Sequence, residues 1–140
     1  MTAKEFLQQV FAAYQAVDSK LEQIARIQSL ATRTTTIIRS TPCGGGTMLK
    51  SRVENAILSM QGKTEALLDE IDRLFAIISE VSGLIAKVAD KNECQILEYR
   101  YLCFYSWKQI SHVMKMSLRY VFKLHARALE NFSAQYSKGH

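Results

Sequence analysis

A heptad repeat through the middle of this 140-residue chain leaves few folds open to it. Ile57, Thr64, Ile71, Ile78 and Ile85 occupy one core position, and Met60, Leu67, Leu74, Val81 and Val88 the other, five heptads without a slip. A stripe of that period over that length belongs on a long helix. The flanking positions, which a bare two-stranded coil fills with charge, include Ala56, Leu68, Phe75, Ile77, Leu84 and Ala89. The stripe is therefore too wide for a single seam. The spacing predicts a helix over about residues 48–89 that packs on other helices, either in a hairpin with an earlier helix or in a dimer that builds a four-helix bundle. Ile57, Met60, Leu67, Ile71, Leu74, Ile78, Val81 and Ile85 are its candidate oligomerisation residues, and a homodimer is the favoured assembly.

The earlier helix is legible too. From about residue 3 to 38, Leu7, Val10, Tyr14, Val17, Leu21 and Ile24 recur at alternating spacings of three and four, the stripe of an amphipathic helix that reaches at least Ile27. Beyond Leu30 the run ATRTTTIIRST is rich in β-branched residues, which lowers helix propensity. TPCGGG at 41–46 then marks a linker over about 40–47, because proline lacks a donor and glycines carry high backbone entropy. Residues 1–89 thus read as long packing helices, and the fold class as all-α. No window approaches eighteen uninterrupted apolar residues, so no membrane span is expected. The N-terminus MTAKEFLQQV lacks the long apolar stretch of a secretory signal, so no leader is expected, and three cysteines, Cys43, Cys94 and Cys103, make an odd number. Both features point to the cytoplasm and reduced thiols.

Charge is distributed unevenly. Residues 1–90 balance ten Lys/Arg against ten Asp/Glu, whereas residues 91–140 hold eight Lys/Arg against Glu93, Glu98 and Glu130, so the whole net charge of +5 lies in the last fifty residues. A neutral body with a basic end suits a polyanion. That end, residues 90–140, also divides into short helices. Asp90 and Glu93 form a capping-box pattern before a helix with Ile96, Leu97, Tyr101 and Leu102 inside. Ser106 caps a second helix, from Trp107 to about Met114, with Ile110 and Val113 on its buried side. After the turn Lys115-Met116-Ser117, Ser117 caps a last helix. Val121, Leu124, Ala128, Leu129 and Phe132 line its inner face, and Arg119, Lys123 and Arg127 recur every four residues on another. Short helix, tight turn, serine cap and basic helix together describe a helix-turn-helix that presents its last helix to a DNA major groove.

The residues Arg100-Tyr101-Leu102, Ser106-Trp107, Ile110, Ser117, Arg119, Val121-Phe122-Lys123-Leu124-His125 and Ala128-Leu129 resemble region four of bacterial sigma factors, and more closely the late-transcription regulators of Gram-positive phages and prophages of the ArpU/RinA type. Only the last forty-odd residues are diagnostic. The resemblance implies a phage or prophage activator that binds double-stranded promoter DNA in the bacterial cytoplasm and works with host RNA polymerase. It places Leu118, Arg119, Phe122 and Lys123 on the groove-facing side of the last helix, and Lys108, Lys115, Ser117 and Arg127 beside phosphates. Arg119 suits a bidentate contact to guanine, and Lys123 a base edge or phosphate. Leu118 and Phe122 depart from the polar residues usual in housekeeping sigma factors, which suits thymine methyls or a partner protein. Trp107 reads as a core anchor and His125 as a hydrogen-bonded structural residue.

Other chemistry is set aside. GGGTMLKS at 44–51 lacks both the glycine before the lysine and the preceding strand of a phosphate loop. Cys94 and Cys103 lie about 13 Å apart along a helix, too far to share a zinc ion. No nucleophile, base and orienting partner fall at an interpretable spacing. The chain is expected to be no enzyme and to carry no cofactor or metal. Two alternatives remain: a DNA-packaging protein like a phage terminase small subunit, and a sigma-binding module that uses Leu118 and Phe122 as its interface.

Overall fold

The computed structural model describes residues 1–40 and 46–139, with side chains from 1–36 and 48–139. Among these residues the chain is all-α. Helix α1 spans Ala3–Ser40, α2 Gly46–Ala86, α3 Lys91–Leu97, α4 Trp107–Met114 and α5 Leu118–Gly139, and a π-helical turn, Glu98–Leu102, continues α3. Residues 41–45, which hold most of the expected linker and Cys43, lie outside the described residues. Ser40 still belongs to α1 and Gly46 already to α2, so both helices run further than the propensities suggest. The threonines near the end of α1 turn their hydroxyls to its own backbone. Thr32, Thr34, Thr35 and Thr36 each donate to the carbonyl four residues back, at 2.8–3.0 Å, which satisfies them inside the helix.

Contacts divide the chain into two compact units, residues 16–74 and residues 1–15 with 75–140. The sequence-based boundary at 89/90 falls inside the second of these. In the 16–74 unit, Val17 and Ile24 of α1 meet Leu67 and Ile71 of α2, flanked by Ile27 and Leu74. Lys20 and Glu70 close one side with a 3.0 Å ion pair, which lowers the Glu70 carboxyl below its ordinary value. Ile57, Met60 and Thr64 are half-buried. Leu21, expected inside, is exposed: at that turn the half-buried stem of Lys20 takes the contact position.

In the other unit, Ile78, Val81, Ile85 and Val88 continue the heptads into a core shared with Phe6, Leu7, Val10 and Ala13 of α1 and with the C-terminal helices. Phe132 of α5 is fully buried. Its ring lies 6.5 Å from that of Phe6, which also meets Tyr136 at 5.0 Å. The heptad residues named for self-association are thus buried or half-buried within the chain itself.

Helix α2 ends in a tight turn in which the Lys87 and Val88 N–H groups bond carbonyls three residues back. The Cys94 thiol closes that end by donating to the carbonyls of Val88, at 2.9 Å, and Ile85, at 3.3 Å. Burial and nearby carboxylates raise its pKa, which keeps it a thiol. Asp90 caps α3 by accepting from the N–H groups of Asn92 and Glu93. The expected reciprocal half of the box is not made. Glu93 is buried, and its carboxylate accepts a 2.6 Å hydrogen bond from Asn131 of α5.

Candidate nucleic-acid interface

The segment from Ser106 to the first turns of α5 is fixed by backbone bonding at every step. Ser106 and Gln109 form a full capping box, the Gln109 N–H donating to Ser106 Oγ at 3.2 Å and the Ser106 N–H to Gln109 Oε1 at 2.8 Å. Ile110 is fully buried beneath α4. Lys115 then stops the helix in the left-handed conformation, at φ 56° and ψ 46°. The N–H groups of Lys115 and Met116 return to the carbonyls of His112 and Ser111, and the Ser111 hydroxyl donates to the Met116 carbonyl. This doubly bonded stop is the arrangement in which glycine usually sits. Ser117 begins α5: its Oγ accepts from the Tyr120 N–H at 3.2 Å and its carbonyl from the Val121 N–H at 2.9 Å. Three residues therefore turn the chain with few free backbone groups, and the direction in which α5 leaves is set.

Helix α5 buries Val121, Leu124, His125, Ala128 and Phe132, with Leu129 half-buried. Arg119, Lys123 and Arg127 lie opposite and exposed; steps of four residues keep successive members within about 40° of one another. Lys108, Lys115 and Ser117 are exposed as well. None of these five cations forms an ion pair among the described residues, where the ion pairs are Lys20–Glu70 and Arg26–Glu22. Glu130 is the one acidic residue after Glu98.

The two apolar members of the expected face behave differently from a free surface. Leu118 is 38% exposed and Phe122 49%, but the Phe122 ring stands edge-on to Trp107 with centroids 5.3 Å apart. One side of Phe122 is thus held by α4 and the other faces solvent. Trp107 is half-buried and also meets the His125 ring at 4.6 Å, while the Arg100 guanidinium lies 4.3 Å over its centroid. Arg100 in turn donates to the Tyr105 carbonyl at 3.0 Å. Sequence reasoning missed two positions. Tyr120, in the first turn of α5, is 44% exposed, as its place beside the buried Val121 implies. Val113, expected inside α4, is exposed: it lies three residues from Ile110, about 60° off the narrow stripe that an eight-residue helix buries.

A 2.8 Å hydrogen bond joins His125 Nε2 and Tyr101 Oη in the interior. Burial, and then the positive fields of Lys4 and Arg100, lower the His125 pKa from 6.5 to about 4. Above pH 6.5 the ring is neutral both folded and unfolded. Between about 6.5 and 4 the unfolded chain binds a proton that the native one refuses, so stability falls as the pH falls through that window. His125→Gln keeps a side chain able to bond Tyr101 and removes the titration. Its urea midpoint is expected to drop less than the wild-type midpoint between pH 7 and 5, and equal drops would show an ordinary histidine at this position. No protein-family model, curated protein or solved structure matches the chain.

Proposed function

We propose that α4, the turn 115–117 and α5 form a helix-turn-helix, and that the protein is a sequence-specific DNA-binding transcription regulator. The carrying observation is the row Arg119, Lys123 and Arg127, exposed, unpaired with acid and opposite the buried face of α5, just after the Ser117 cap. A groove-entering helix needs cations outside and small or apolar residues inside, and its N-terminal N–H groups favour phosphate. In this reading Arg119 and Lys123 reach base edges, Lys108, Lys115, Ser117 and Arg127 position the backbone, and Leu118 and Phe122 offer apolar contact to thymine methyls. The resemblance to phage late-transcription regulators makes promoter DNA the substrate and RNA polymerase the second partner. A dimer belongs to the same proposal.

The test uses DNA fragments selected by the full-length protein from a random pool. Arg119→Ala is expected to weaken the selected site by about 1–3 kcal/mol and to relax the preference at one base pair. Lys115→Gly is the comparator. Glycine adopts the left-handed conformation at no steric cost, so this variant keeps the turn while losing one phosphate contact, and all sequences should weaken alike. Equal losses on selected and random DNA from Arg119→Ala would make Arg119 a phosphate contact and displace the proposed docking. No loss from either variant would remove DNA from this face and leave Leu118 and Phe122 as a protein interface.

A further inference from the structure

A cavity of about 540 Å³ opens between the start of α1 and the residues that surround Trp107. Leu7, Tyr101 and His125 line it and are buried, so they form its inner wall. Phe11 and Phe104 line it and are exposed, so they stand at the mouth, with Trp107 half-buried between. The mouth is an aromatic corner: the Phe104 ring meets Phe11 at 5.1 Å and Tyr14 at 5.3 Å, both edge-on. Phe104 holds a positive φ of 61°, a conformation that a bulky residue rarely adopts. Glycine would fit that backbone without strain, so the ring at this position comes at a local cost.

Two cations also line the cavity, Lys4 and Arg100. Neither pairs with a carboxylate among the described residues. Arg100 spends one N–H on the Tyr105 carbonyl and keeps the other donors of its guanidinium. The positive fields of both reach His125 inside the cavity. Apolar and aromatic walls of this volume with a few converging polar groups are the ordinary composition of a small-molecule site.

We propose that this cavity binds a small aromatic carboxylate, its rings against Trp107, Phe11 and Phe104 and its carboxylate between Lys4 and Arg100. The charge on the wall selects an anion over a neutral aromatic. The small number of free hydrogen-bonding groups selects a simple carboxylate over a nucleotide: Tyr101 Oη is already engaged by His125, and the uncharged groups left on the wall are Gln8, the Trp107 indole N–H and the second ring nitrogen of His125. The site does not depend on DNA binding, and its probes differ from those of the reading helix, so either can fail while the other stands.

Trp107 is the sole tryptophan, so its indole N–H gives a single cross-peak in a proton–nitrogen correlation spectrum of the intact protein. Titration with 2-naphthoate is expected to move that peak to saturation in the submillimolar range. The neutral 2-naphthalenemethanol should bind at least about tenfold more weakly, because it forfeits the charge-assisted bonds. Lys4→Gln, at an exposed position, should weaken naphthoate severalfold while leaving the alcohol unchanged. Equal affinity of acid and alcohol for the wild-type protein would overturn the carboxylate assignment, as would an unchanged naphthoate affinity in Lys4→Gln. A Trp107 peak that shifts without saturating would remove the site altogether.

Discussion

Ile71→Asp is expected to destabilise the protein by about 3–5 kcal/mol, the cost of leaving an uncompensated charge in a dry interior. Ile71 sits with Val17, Ile24 and Leu67 in the apolar cluster of the 16–74 unit, where Lys20 is already engaged by Glu70. A loss of this size is a large share of the 5–15 kcal/mol that holds an ordinary domain together. Leu58→Asp is the control, because Leu58 lies on the same helix and is 63% exposed; it should change stability by less than about 0.5 kcal/mol. Urea denaturation measures both, and loss of amide protection confined to 16–74 in Ile71→Asp would place the damage in that unit. Equal, small effects from the two substitutions would mean that Ile71 has no buried partner in solution. A change of mass in sedimentation with the fold intact would mean that the seam closes between chains.

The same region marks how far the sequence could be read. The heptad period found the buried side of α2 because a 3.5-residue repeat maps onto one helix face whatever covers it. It could not say what covers it, and the hairpin and the dimer bury the same residues. Leu21 was misplaced because periodicity treats an apolar residue as the natural occupant of a contact position, whereas the ion pair with Glu70 favours the stem of Lys20 there. Local caps were legible at Asp90, Ser106 and Ser117, since a capping side chain bonds an N–H two or three residues away. What failed was the long-range partner. Glu93 looked like the far half of a box and instead meets Asn131, thirty-eight residues on. The Tyr101–His125 bond and the contact of Phe122 with Trp107 left no periodic trace. The exposed cations of α5 were legible as a row of fours. The cavity was not, because Lys4 and Leu7 reach it from the opposite end of the chain.

The proposed function also fixes how binding should respond to salt, and this is the larger of its measurable effects. Lys108, Lys115, Arg119, Lys123 and Arg127 are exposed, and no ion pair among the described residues uses any of them, so each is available to a phosphate or a base edge. Every phosphate neutralised releases condensed counterions and adds about −0.9 to the slope of log affinity against log salt. On a random-sequence duplex, where Arg119 and Lys123 find no base to read and settle on phosphates, five contacts give a slope of about −4.5, a loss of about 500-fold in affinity between 50 and 200 mM salt. Fluorescence anisotropy with the full-length protein and a random-sequence duplex measures it. Lys108→Ala and Lys123→Ala should each flatten the slope by about one contact, and the double variant by two, because the side chains sit on different helices and share no partner. Substituting Lys20 should leave the slope unchanged, since Glu70 already neutralises it. Binding that stays tight with a slope near zero would mean that apolar contact, not phosphate, holds the ligand. The exposed rings of Tyr120 and Phe122 would then mark the surface that does so, and the cations of α5 would serve solubility alone.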